Sequence, residues 1–266
     1  MKVLKFGGGC LKDAAAIRKL PGIIKNFDEN IIMVVSAFGK LTNFLEEAYD
    51  TKNMLLVNDY FISIMTNLSL PKLIINEILS QVKYSNSKAE LLSTGELISS
   101  KILSCYLQKE NFKHTLLNAT HIIKTNSNGV NSSVNWEETK SGFQKKSHVL
   151  PLLTQGFIAS YSNNDNFEIT CLGREGSDYS AAIFGKLFNA DQVVLFKDVD
   201  GIYSEDPKKN ASAKLFSTLT YDEAFNLSNK GNTVIHPKTI EPLKEKEIPI
   251  LIKNFNNLNI KGTLIS

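Results

Sequence analysis

Short, nearly continuous apolar runs alternate along this chain with segments whose apolar residues recur at helical spacing. Val3–Phe6, Ile31–Ser36, Leu116–Ala119, Gly156–Ser160, Phe167–Cys171, Gln192–Lys197 and Pro249–Lys253 read as strands. Runs without a polar face belong to strands covered on both sides. They predict an α/β fold, a three-layer αβα sandwich around a central, mainly parallel sheet. Helical spacing covers Asp13 to Leu20, begins again near Thr42, and fills the stretch from about Leu45 to Leu107 with breaks near Pro71 and Ser85–Ser87. That stretch predicts a helical insert. The Asn- and Ser-rich segment Thr125–Asn135 reads as an exposed loop. No internal repeat or linker divides the chain, so one domain spanning residues 1–266 is expected.

Composition narrows the class. With 266 residues and 42% hydrophobic content the chain can bury a full core, which excludes a disordered or fibrous protein. The formal net charge is +3, with 30 basic residues dispersed among 27 acidic ones, and lysine pairs such as Lys208-Lys209 are short. Nucleic acid is therefore not an expected partner. Cys10, Cys105 and Cys171 are widely spaced and odd in number, which fits reduced thiols better than disulfides or zinc ligands. No secretory signal is read, and no apolar stretch approaches the length of a membrane span. A cytoplasmic protein with no membrane partner is expected.

Two glycine loops carry the candidate chemistry. Leu172-Gly-Arg-Glu-Gly-Ser-Asp-Tyr-Ser-Ala-Ala182 runs from a turn into a helix. The amides of Gly176, Ser177 and Asp178 are therefore expected to lack intrahelical partners and to face an anion. Arg174 adds a planar fork for a carboxylate or phosphate. A plain helix capped by Ser177 or Asp178 leaves the same signature. At the N-terminus, Lys5-Phe-Gly-Gly-Gly9 ends a strand and precedes a helix, an arrangement that brings the amides of Gly7, Gly8 and Gly9 against phosphates. It has neither the P-loop nor the dinucleotide-fold spacing. Lys5 stands where an ammonium can reach a phosphate oxygen; a solvated lysine at a strand edge is the plainer reading.

Three further segments add polar groups. Ser36, Lys40 and Thr42 follow a buried strand and would emerge at the carboxyl end of the sheet, where open α/β folds bind ligands. Leu92-Ser-Thr-Gly-Glu-Leu97 is expected to place Glu96 in the first turn of a helix, where dipole complementarity alone would explain it. Lys197-Asp-Val-Asp-Gly-Ile-Tyr-Ser-Glu-Asp-Pro207 reads as an acidic turn or as a loop around a nucleotide base or metal.

In this order the segments resemble the catalytic domain of aspartate kinases, within the amino acid kinase family. The resemblance is carried by Lys5-Phe-Gly-Gly8, Val34-Val-Ser-Ala37 with Thr42-Asn43, Gly95-Glu96, Thr154-Gln-Gly-Phe-Ile158, the Leu172–Ala182 loop, Asp198-Val-Asp-Gly-Ile-Tyr203 with Asp206-Pro207, and His236-Pro237. It implies phosphoryl transfer from ATP, with Mg2+, to the side-chain carboxylate of L-aspartate. It also implies an N-terminal substrate-binding lobe over about residues 1–160 and a C-terminal nucleotide-binding lobe over about 161–266. Lys5 would neutralise the phosphates beside Gly7–Gly9, and Asp178 would orient Lys5 or a metal-bound water; the metal ligands stay unassigned. Glu96 would accept the substrate ammonium and Arg174 a substrate carboxylate, with Ser36, Thr42 and Ser177 nearby. Lys197, Asp198, Tyr203 and Lys208 would line the nucleotide side. A homodimer is the partner assembly to test.

Four departures from the family pattern stand out. Gly9 and Cys10 replace a Thr-Ser pair, Glu175 replaces a glycine, Thr233 replaces a nucleotide-contacting lysine for which Lys230 or Lys238 could substitute, and Lys208 replaces an arginine. Such changes keep two alternatives open: another small-molecule kinase of the same fold, or a weakened nucleotide- or amino-acid-binding paralogue. Aspartate kinases commonly carry ACT regulatory domains after the catalytic domain. The sequence stops at Ile260–Ser266, so insensitivity to lysine and threonine is expected.

Overall fold

The computed structural model describes residues 1–27, 30–145, 148–163, 166–210 and 212–266. Its elements run β1 (Lys2–Phe6), α1 (Ala14–Ile24), β2 (Ile31–Val35), α2 (Leu41–Thr51), α3 (Leu55–Asn67), α4 (Lys72–Leu79), α5 (Lys88–Lys109), β3 (Thr115–Leu117) and α6 (Trp136–Gln144). They continue with β4 (Leu152–Gln155), β5 (Ile158–Asn163), β6 (Asn166–Cys171), α7 (Gly176–Phe188), β7 (Gln192–Lys197), β8 (Thr218–Leu219), α8 (Tyr221–Asn229), α9 (Pro237–Lys244), β9 (Ile250–Asn254) and β10 (Thr263–Ile265).

Among the described residues, eight strands form one sheet in the order β3-β4-β2-β1-β7-β9-β10-β8. Its pairs are parallel except β10 against β9. The apolar runs of β1 and β2 are buried on both faces because a helical layer covers each. Leu4, Phe6, Met33 and Val35 pack with α1 to α5, whereas Val3, Ile32, Val34 and Leu195 pack with α7 and α9. Period-two alternation puts Lys5 on the same face as Val3, the face on which α7 lies. The mainly parallel three-layer fold is the expected one, with α2 to α5 as the helical insert.

Several expected elements differ. Gly156–Ser160 and Phe167–Cys171 do not join the central sheet; as β5 and β6 they form a separate antiparallel hairpin, pairing Ile158 with Cys171. Its second strand is exposed over its first half, with Phe167 at 53% exposure, so an apolar run here does not mean a doubly covered strand. The sheet position goes instead to β4, whose Leu-Leu-Thr-Gln run is too short and too polar at its end to stand out. Ala119 lies beyond β3 in a 3-10 turn. The segment 125–135 is irregular, yet Thr125, Ser132 and Val134 are buried. Ser132 donates to the Cys171 carbonyl and Cys171 to the Gly129 carbonyl, which pins this loop to β6. Among the described residues no helix is long and apolar enough to cross a membrane.

Candidate active site

A cavity of about 530 Å³ opens where β1, β2 and β4 end, lined by Lys5, Gly8, Gly9, Ser36, Thr42, Glu96, Arg174, Glu175 and Ser177 among others. Gly8 meets the turn after β2 so closely that a Cβ on it would lie 2.7 Å from the Ala37 carbonyl oxygen, so a side chain there would push the two turns apart. Gly95 serves α5 in the same way, since a Cβ would come within 2.8 Å of Leu45. That contact brings the next residue, Glu96, to the cavity wall.

A row of alternating charges lies under the cavity. Asp178, in the first turn of α7 and fully buried, has Oδ1 2.6 Å from Lys5 Nζ and Oδ2 2.5 Å from Lys197 Nζ. Lys197 is also 3.3 Å from Glu175 Oε2. Burial pushes the Asp178 carboxyl up, but the ammoniums of Lys5 and Lys197 outweigh it and hold the group at about 2. Lys197, squeezed by burial in the other direction, is held above the usual lysine range by Asp178 and Glu175. Asp178 is thus a carboxylate and Lys197 an ammonium at neutral pH.

Glu96 behaves differently. It is 4% exposed, and Oε2 has no hydrogen-bond partner among the described residues. Burial raises its pKa to about 8, although a backbone hydrogen bond at Ala37 and the Lys5 charge pull it back partway. The expected first-turn position is corrected: Ser87 caps α5 earlier, accepting from the Glu90 amide, and leaves Glu96 two turns inside the helix. Dipole complementarity therefore does not explain it. A buried carboxyl with one free oxygen at a cavity wall is suited to a cationic ligand group. Arg174 is exposed on the same wall and makes no ion pair among the described residues.

One amide expectation is corrected. Gly176 donates to the Gly173 carbonyl, so the amides left open at the start of α7 are those of Ser177 and Asp178. Gly7 does not line the cavity; its carbonyl accepts from Cys10 and Leu11, which closes the turn. Cys10 is buried with Sγ donating to the Phe196 carbonyl, and burial lifts its thiol to about 11. Its side chain braces the loop rather than facing a ligand.

The remaining nucleotide-side candidates gather around a second cavity of about 490 Å³, lined by Tyr203, Lys208, Lys209, Lys230, Asn232 and Thr233 among others. The Tyr203 hydroxyl donates to Asp200, whose other oxygen accepts from Asn254 at 2.6 Å. Lys197 and Asp198 line neither cavity but join them. Lys197 touches Asp178 beneath the first cavity and Glu175 on its wall, and Val199 lines the second. Lys238 lines neither cavity and lies 3.4 Å from Asn131. Residues of the first cavity to which sequence reasoning gave no role include Glu46, Lys88, Val130 and Phe157, the last within the Thr154–Ile158 block. Phe157 has φ of +70° and donates its amide to the buried Ser180 hydroxyl at 2.9 Å. A bulky residue in that conformation is a feature of the folded site that no sequence pattern marks.

Known proteins resemble the chain over its whole length. The chain is 33% identical to a bifunctional aspartokinase/homoserine dehydrogenase of Buchnera aphidicola, over all of this chain and 36% of that protein. It is 32% identical to the chloroplastic counterpart of Daucus carota, over 98% of this chain and 32% of that one. The chain thus spans about a third of the length of these relatives. Escherichia coli aspartokinase III, solved in complex with aspartate and ADP, superposes with a TM-score of 0.88 at 25% identity, over all of this chain and 64% of that one. The model of the amino acid kinase family matches residues 1–254, and the chain belongs to that family.

Proposed function

We propose that the chain catalyses transfer of the ATP γ-phosphoryl group to the side-chain carboxylate of L-aspartate, giving 4-phospho-L-aspartate and ADP. The observation that carries this reading is one cavity that holds a buried carboxyl with a free oxygen, Glu96, an unpaired guanidinium, Arg174, and a preorganised ammonium, Lys5. These match the ammonium, the α-carboxylate and the reacting anions of an acidic amino acid and a nucleotide. A carboxylate oxygen attacks phosphorus as the bond to the β-phosphate oxygen breaks, and the attacking group needs no base. The work is alignment of two anions and stabilisation of charge on the phosphoryl group.

In this reading Lys5, fixed by Asp178, meets the transferring phosphoryl group without reorganising, and the amides of Gly8, Gly9, Ser177 and Asp178 add donors. Ser36 and Thr42 give hydroxyls to the amino acid. ATP reaches across Lys197 and Asp198 to the second cavity, where Tyr203, Lys208 and Lys230 receive it; Lys230 supplies the cation that Thr233 lacks. No group of three His, Cys, Asp or Glu side chains among the described residues could hold a metal ion, and both Asp178 oxygens face ammoniums. The described residues do not build a cage for Mg2+, which would come with the nucleotide phosphates.

Trapping the acyl phosphate with hydroxylamine tests the reading. Aspartyl hydroxamate should form in step with ADP when L-aspartate and MgATP are supplied. ADP release without hydroxamate, or faster turnover with another carboxylate, would overturn it.

A further inference from the structure

Glu175 lies on the wall of the first cavity but has no task in the proposed transfer. It precedes α7 with φ of +53°, a conformation that suits glycine. Its Oε2 sits 3.3 Å from Lys197, whose other carboxylate partner, Asp178, is at 2.5 Å. The two partners are unequal. Asp178 is fully buried and also held by Lys5, whereas the Glu175 side chain is 34% exposed and its ion pair is with Lys197. Of the two, Glu175 is the one an incoming anion can displace. Charge balance points the same way: Lys5 and Lys197 against Asp178 alone leave one positive charge for a phosphate, and Glu175 cancels it.

We propose that Glu175 occupies on Lys197 the position taken by a nucleotide phosphate oxygen, so that nucleotide binding exchanges one anion for another. The carboxylate turns to water, the phosphate takes the ammonium, and Asp178 holds Lys197 throughout. Glu175 thereby sets the affinity for the polyphosphate portion of the nucleotide and leaves the amino-acid contacts alone. This rests on the reading of ATP as a substrate.

Glu175→Gln keeps the side-chain size and the backbone conformation and removes the charge. By calorimetry it should bind MgADP on the order of tenfold tighter than the parent chain, and tripolyphosphate should tighten likewise. Adenosine, which carries no phosphate, should bind both chains equally. In a Lys197→Ala background the same substitution should gain nothing, because the exchanged partner is gone. Equal or weaker MgADP binding by Glu175→Gln, beside normal binding by the parent, overturns the exchange. An equal gain for adenosine also overturns it, since a general opening of the site would then be the cause. Failure of the parent chain to bind MgADP would overturn the kinase reading itself and this inference with it.

Discussion

Lys5 and Glu96 are neighbours in one cavity, and they differ in whether a buried partner compensates their charge. Lys5 is compensated by Asp178 at 2.6 Å and stands ready as a fixed charge. Lys5→Ala should lower kcat by about 100-fold or more, since one preorganised charge at a reacting centre is worth roughly 3 kcal/mol or more. Asp178 keeps Lys197 at 2.5 Å, so circular dichroism should report a folded protein. Glu96 has no such partner, and its pKa near 8 leaves it mostly protonated at pH 6. If its carboxylate holds the substrate ammonium, the KM for aspartate should fall as pH rises from about 6 to 8. Glu96→Gln should flatten that profile and raise the KM roughly 10- to 100-fold, the value of a charged hydrogen bond. Stability runs the other way. A carboxyl whose folded pKa is raised from 4.5 to about 8 contributes fully below the lower value and loses that contribution as pH climbs to the upper one. The unliganded Glu96→Gln variant should therefore gain in Tm over the parent more at pH 8 than at pH 5. An unchanged gap across that range would mean that Glu96 is not the titrating group.

Elements were legible in proportion to how much of their pattern is local. β1, β2 and β7 each read as strands because both faces are apolar, and α1 was marked by Asp13, whose side chain accepts from the Ala16 amide. α5 misled because Leu92-Ser-Thr-Gly-Glu looks like a helix start. The actual cap, Ser87, lies earlier, and burial on several sides of the helix hides its period. β4 goes unread and β5 and β6 read as strands of the central sheet, because a short apolar run does not reveal which neighbour will pair with it. The link between Glu175 and Lys197 was not legible, since it joins the residue that caps α7 to the last residue of β7, 22 positions apart. In the proposed reading, the substitute for the cation missing at Thr233 turns on where the two candidate lysines lie. Lys230 ends α8 facing the second cavity, whereas Lys238 begins α9 beside Asn131. Lys230→Ala should raise the KM for MgATP about 3- to 10-fold at moderate salt, in keeping with one exposed phosphate contact. Lys238→Ala should leave that constant within about twofold. The reverse ranking in steady-state kinetics would move the nucleotide phosphates to the α9 side.

At the scale of the molecule, Asp178 ties the helical layer to the sheet. It projects from α7 and engages lysines from β1 and β7, adjacent strands whose carboxyl ends open toward the first cavity. Removing its charge while keeping its shape leaves two largely buried ammoniums facing each other. Asp178→Asn should cost about 3 kcal/mol or more, an amount that lowers the Tm of a chain this long by roughly 6–12 °C. The pH dependence separates charge from packing. Because the folded pKa is depressed from 3.8 to about 2, the stabilisation from Asp178 is complete above the higher value and disappears as pH falls through the lower one. The Tm gap between parent and variant should therefore stay level from about pH 8 down to 4, then close between 4 and 2. The group acts oppositely to Glu96, whose contribution is complete only in acid, so the two together stabilise the fold most at mildly acidic pH. A gap that persists unchanged to pH 2 would show that the amide fails by poor packing, and that the ion row is not what binds α7 to the sheet.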